Sequence, residues 1–124
     1  MCLWKLNILD KNNNSYLFLF EEVKTMNLID ILMDIPEIKE TDGQKNPIAY
    51  LKFQNVLGRG TWYVTEMSAT DTLEPDVLMF GYVISPLGED CDEWGLFTLS
   101  ELNMTNVILL DSEFKPQPIK ELIN

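Results

Sequence analysis

Apolar and polar positions along this chain alternate in short runs, and a period of two belongs to strands. "LWKLNILD" sets Trp4, Leu6 and Ile8 on one side and Lys5 and Asn7 on the other. "DKNNN" follows with turn-prone residues, and "SYLFLFEEV" is apolar on both faces, so residues 1–25 read as a β-hairpin. The period then changes. In "NLIDILMDIP", Leu28, Ile31 and Leu32 fall at helical spacing, Asn27 stands at the N-cap, and Pro36 forbids continuation. This predicts one main helix of about two turns. "EIKETDGQKNP" reads as a loop.

Four strand-like runs come next, "IAYLKFQ", "TWYVTEM", "VLMFGYVIS" and "WGLFTLS", divided by "NVLGRG", "SATDTLEPD" and "PLGEDCDE". Connections this short favour antiparallel neighbours over crossovers. "SELN" predicts one helical turn, "NVILLD" a further short strand, and "PIKELIN" a terminal turn with Pro118 at its first position. The expected fold is α+β: a mostly antiparallel sheet, one main helix packed on a face, and an N-terminal β-hairpin. At 124 residues the chain is expected to form a single domain over 1–124.

Composition narrows the chemistry. The chain has no histidine, which removes the commonest general base and metal ligand. Two cysteines, Cys2 and Cys91, make neither a disulfide scaffold nor a zinc set. No cofactor or metal is expected. No apolar run approaches the ~18 residues needed to cross a bilayer, and no signal peptide is visible, so the expected setting is cytoplasmic and away from membranes.

Net charge is −11, and it is unevenly spread. No lysine or arginine occurs from Gly60 to Phe114, whereas Glu66, Asp71, Glu74, Asp76, Glu89, Asp90, Asp92, Glu93, Glu101, Asp111 and Glu113 all lie there. Such a stretch repels nucleic-acid phosphates and attracts basic protein surfaces, including those that bind nucleic acid. A simply solvated acidic surface is the plainer account of the same charges.

Strict alternation in "TWYVTE" puts Thr61, Tyr63 and Thr65 on one face and Trp62, Val64 and Glu66 on the other. Neither face is cleanly apolar, which leaves one aromatic half-exposed as a contact anchor; ordinary packing across the sheet is the alternative. "GEDCDEWG" crowds Glu89, Asp90, Asp92 and Glu93 around Cys91 but lacks the glycine and closing glutamate of a calcium loop. For catalysis the candidates are Lys52 with Glu66, and Glu101, none with a third group to orient it.

The ordered blocks "KNPIAYLKF", "GTWYVTE", "FGYV", "WGLFTLSEL" and "FKPQPIKEL" make this chain similar to the bacterial family called domain of unknown function 2958. The resemblance spans Leu28 to Leu122, within a family-like domain at 26–124, and leaves the hairpin as an addition. Trp94-Gly95-Leu96-Phe97 departs from the Leu-Gly-Tyr-Phe common in that family. The resemblance implies no activity or cofactor, and it implies a setting on phages, plasmids and other mobile elements, near antirestriction genes.

Three functions are therefore expected, in order. The first is a non-enzymatic, acidic anti-defence inhibitor that binds a basic host protein, such as a nuclease, at its nucleic-acid-binding surface. It would act through Trp62, Tyr63, Glu66, Asp71, Glu74, Asp76, Glu89, Asp90, Asp92 and Glu93. The second is a small-molecule or peptide-binding module with a pocket of Trp62, Tyr63, Tyr82 and Trp94. The third is an enzyme working through Lys52, Glu66 or Glu101.

Overall fold

The computed structural model describes residues 32–70, 73 and 76–123. The expected N-terminal hairpin and the first half of the expected helix lie outside these residues. The strands are β1 (Ile48–Ala49), β2 (Leu51–Asn55), β3 (Thr61–Ala69), β4 (Val77–Ile84), β5 (Glu93–Thr98), β6 (Ile108–Leu110) and β7 (Gln117–Pro118). Among the described residues there are two short helices after the sheet begins, α1 (Leu99–Asn103) and α2 (Lys120–Ile123). Strands β5-β4-β3-β2-β6 form one antiparallel sheet, and β1 pairs with β7 beside it.

The expected α+β class, with a main helix laid on a sheet face, is corrected by this arrangement. The fold is mostly antiparallel β, and among the described residues no helix reaches 7 residues. Leu32–Asp34 are helical, but the chain leaves that path at Ile35, before the proline. Pro36 then adds its carbonyl to the sheet side by accepting from the Met67 amide at 2.9 Å. Among the described residues, α1 covers the first face of the sheet, with Leu32 packed against the same core. Thr98 caps α1, its hydroxyl accepting from the Glu101 amide at 3.2 Å, and Glu101 follows at the third helical position. The sequence Thr98-x-x-Glu101 is thus a capping-box spacing.

Side chains separate cleanly across the sheet. On the first face Leu51, Phe53, Trp62, Val64, Met79, Val83 and Phe97 pack under Leu99 and Leu102 of α1, with Ile108 and Ile35 closing the sides. On the second face Tyr63 packs with Ala49 and Ile119 beneath the β1–β7 ribbon and α2, and its ring lies 6.0 Å from that of Phe114. The ribbon is tied down where the Ile119 amide donates to Pro47 O at 2.9 Å and the Lys120 amide to Asn46 Oδ1 at 2.9 Å.

One irregularity decides which side chains share a face. Val64 pairs with Gly81 but Glu66, not Thr65, pairs with Phe80, so Thr65 is an extra residue in β3. Its hydroxyl donates to Phe80 O at 3.1 Å. The bulge turns Glu66 over, away from Trp62 and Val64 and onto the face of Tyr63 and Phe80. Gly81 is what allows it: a Cβ there would lie 1.6 Å from the Tyr63 carbonyl oxygen.

Candidate functional site

The β1–β7 ribbon covers only the β2–β3 half of the second face. On the β4–β5 half, register places Tyr82 beside Trp94 and Phe80 beside Leu96. Phe80 and Trp94 stack at 5.7 Å, and Tyr82 meets Trp94 edge-on at 5.6 Å. These contacts fix the rings without hiding them, since Trp94 is 38% and Leu96 50% exposed. The result is an apolar ledge on the outermost strand of the sheet.

The loop 36–47 forms the opposite wall. A cleft of about 230 Å³ lies between Thr41, Asp42, Gly43, Gln44 and Pro47 on the loop and Phe80 and Trp94 on the sheet. A second, of about 190 Å³, lies between Ile38, Lys39 and Asp42 and the side chains of Glu66, Phe80 and Leu96. Asp42 and Phe80 border both clefts.

Glu66 holds this loop in place. Its Oε1 accepts the Lys39 amide at 2.8 Å, and its Oε2 accepts the Thr41 amide at 2.8 Å together with the Thr41 hydroxyl. Lys39 adopts a φ of 79°, an unusual conformation for a side-chain-bearing residue, and the carboxylate bonds draw the chain through it. Burial pushes the Glu66 carboxyl up, but the Thr41 hydroxyl and the Lys39 and Thr41 amides outweigh it and leave the group below its ordinary value. Because both oxygens are engaged and the residue is 2% exposed, Glu66 is a structural clamp rather than a free base.

A second clamp sets the acidic turn before β5. Arg59 grips Asp92 with both guanidinium nitrogens, Nη1 to Oδ1 at 2.8 Å and Nη2 to Oδ2 at 2.7 Å, and also donates to Ser85 O at 2.6 Å. Asp92 Oδ1 accepts the Ser85 amide at 2.7 Å. The Arg59 fork is the main reason the Asp92 carboxyl lies below the usual range. With Asp92 turned inward, Glu89 and Asp90 of the 3-10 turn Glu89–Cys91 remain exposed in the segment that leads into β5.

The ten residues expected to meet a partner therefore part company. Trp62 is buried in the first-face core at 3% exposure and Tyr63 in the second-face core at 6%, so neither aromatic is presented outward. Glu66 and Asp92 are the clamps just described. Asp76 ties β4 to α1 by accepting the Ser100 hydroxyl, the Ser100 amide at 3.2 Å and the Val77 amide at 2.8 Å. Asp71 and Glu74 lie outside the described residues. Glu89 and Asp90 are exposed, and Glu93 opens β5. Of the four aromatics expected to share a pocket, Tyr82 and Trp94 meet on the ledge; Trp62 faces the other way.

Sequence reasoning passed over Phe80, Leu96 and Asp42. Period-two alternation in "FGYV" and "WGLF" carried part of the signal, since it sets Phe80 with Tyr82 and Trp94 with Leu96 on shared faces, while their pairing comes from the β4–β5 register. The expected catalytic residues do not converge. Lys52 stands opposite Tyr63, with its Nζ 3.9 Å from Asp111, while Glu101 accepts from the Thr98 hydroxyl at 3.1 Å on the α1 side. Among the described residues no group of histidine, cysteine or acidic side chains is arranged to hold a metal, and no helix is long and apolar enough to cross a membrane.

The family model described as "Protein of unknown function (DUF2958)" matches residues 21–116. No curated protein and no solved structure matches the chain.

Proposed function

The chain belongs to the DUF2958 family, and from that premise we propose that it is a non-enzymatic binding protein whose acidic, aromatic face engages a basic surface of a partner protein. In the mobile-element setting that the family resemblance implies, the partner is a cytoplasmic host-defence protein, such as a nuclease. Occupying its nucleic-acid-binding groove would inhibit it.

The observation that carries this reading is the exposed Asp42 bordering the Phe80–Trp94–Leu96 ledge, with Glu89 and Asp90 exposed in the turn before Trp94, in a chain with no base from Gly60 to Phe114. Interfaces combine an apolar, aromatic centre with a polar rim, and rim charges of one sign steer an oppositely charged partner. The attraction belongs to fewer acids than composition alone indicates, because Glu66, Asp76 and Asp92 are spent on the fold. A small-molecule site is a poorer fit. Clefts of about 230 and 190 Å³ fall below the ~300–1,000 Å³ of typical ligand pockets. They suit single side chains of a larger partner.

The test is affinity capture from host cytoplasm on the immobilised chain, eluted through a salt gradient. The expected catch is a protein with a basic nucleic-acid-binding surface, released steeply between about 0.05 and 0.5 M salt and displaced by duplex DNA. An acidic catch, or retention indifferent to salt, overturns the proposal.

A further inference from the structure

We infer that the larger cleft, between the loop 36–47 and the sheet, seats an arginine side chain of the partner, its guanidinium lying between Trp94 and Asp42. This names the group recognised within the function proposed above and rests on it.

The first argument is what lines the cleft. Phe80 and Trp94 stand on its sheet side, and Asp42, Gly43 and Gln44 on its loop side. Asp42 is the one charged residue among the described residues that line it, and it is exposed. An aromatic ring opposite a carboxylate attracts a cation twice, through the ring quadrupole and through opposite charge, and tryptophan is the strongest ring for this purpose. Trp94 is also held ready. It stacks on Phe80 at 5.7 Å and is met edge-on by Tyr82 at 5.6 Å, yet stays 38% exposed.

The second argument is that the loop wall is already ordered. Pro36 O accepts the Met67 amide at 2.9 Å, Glu66 clamps Lys39 and Thr41, and Pro47 O accepts the Ile119 amide at 2.9 Å. Between the last two points the Gln44 amide donates to Thr41 O at 3.0 Å, closing a turn whose second residue is Asp42. Gly43 supplies the positive φ of 86° in that turn. A wall fixed in advance adds little ordering cost when a side chain enters.

Size and charge decide the occupant. At about 230 Å³ the cleft falls below typical small-ligand pockets but accepts one long side chain. The neighbouring cleft is a poorer seat for a cation, because it carries Lys39 and its Glu66 carboxylate has both oxygens engaged. Lysine answers the charge but not the shape. Its ammonium is a compact, strongly hydrated point charge, whereas a guanidinium is planar, lies flat on an aromatic ring and keeps N–H donors for a carboxylate. A guanidinium can therefore face Trp94 and donate to Asp42 together.

The experiment titrates the full-length chain with three capped tripeptides: glycine–arginine–glycine, glycine–lysine–glycine, and the same peptide with citrulline, the uncharged isostere of arginine. NMR shifts of the Trp94 indole and the Gly43 amide are the readouts. The arginine peptide should move both signals saturably, the lysine peptide should bind about three-fold or more weaker, and the citrulline peptide should leave both in place. Asp42→Asn, read at the indole, and Trp94→Leu, read at the Gly43 amide, should each weaken arginine binding about three-fold or more. A thermal melt will establish that both variants are folded. Equal binding of the citrulline or lysine peptide, or unchanged arginine binding by Asp42→Asn, overturns the arginine seat. So does an arginine peptide that moves neither signal. In all of these cases the function proposed above still stands if cytoplasmic capture yields a basic protein released by salt, and it fails if capture yields none.

Discussion

Glu66 and Glu101 are both withdrawn from water, yet folding moves their carboxyl groups in opposite directions. For Glu101 burial dominates and raises the group, with the nearby Asp76 charge adding to it, against opposing hydrogen bonds from Thr98. For Glu66 the loop amides and the Thr41 hydroxyl outweigh burial and lower it. The linkage follows in each case. Glu66 stabilises the fold in full above its unfolded value near 4.5, and that contribution is lost as pH falls through the depressed folded value. The Glu101 contribution is fully present below the unfolded value near 4.5 and is lost as pH rises through the raised folded value. Urea unfolding at neutral pH should therefore show Glu66→Ala destabilised by about 3 kcal/mol, because it strands the Lys39 and Thr41 amides. Glu101→Gln should be as stable as the parent or more so at neutral pH, and should lose that advantage near about pH 3. A Glu66→Ala chain as stable as the parent would mean that the loop holds itself without the clamp.

At the scale of elements, the bulge in β3 and the glycine opposite it act as one device. Any side chain at position 81 must push the Tyr63 carbonyl aside, and that carbonyl belongs to the strand both cores are built on. Gly81→Ala should cost about 3 kcal/mol or more, near the upper end for overpacking, with the loss read from the denaturant midpoint. A smaller loss would show that β3 can shed its extra residue. This device also marks where the sequence stops being legible. The runs around Phe53, Trp62, Met79, Phe97 and Leu109 are readable as strands, since alternation and turn residues are local signals. So is the helical turn at "SELN", whose Thr98 cap is a local signal too. A bulge is not local: it depends on Gly81, fifteen residues beyond Glu66, and strict alternation consequently assigns Glu66 to the wrong face. Nor does local spacing reveal that Leu99 and Leu102 of α1 would share a core with Phe97, since that depends on how the chain folds back over the sheet. The ledge was half legible. Tyr82 and Trp94 are conspicuous as aromatics, but their partnership with Phe80 and Leu96 exists only through the β4–β5 register.

Across the whole molecule, salt should act on stability and on binding with opposite signs. A chain of net charge −11 folds against its own repulsion, since 20 acids face 9 bases. The Arg59–Asp92 fork and the longer Lys52–Asp111 approach are ion pairs among the described residues. Screening therefore removes more repulsion than attraction, and the melting temperature should rise by a few degrees between about 0.05 and 0.5 M sodium chloride. Over the same interval the affinity for a basic partner should fall, because there the screened term is the attractive one. Neutralising the exposed turn with Glu89→Gln/Asp90→Asn separates the two effects. It should raise the melting temperature at low salt, flatten its salt dependence, and weaken capture of the basic partner without disturbing Asp92 in its fork. If instead the variant melts lower than the parent, Glu89 and Asp90 contribute to the fold, and Asp42 is left as the exposed acid that borders the clefts.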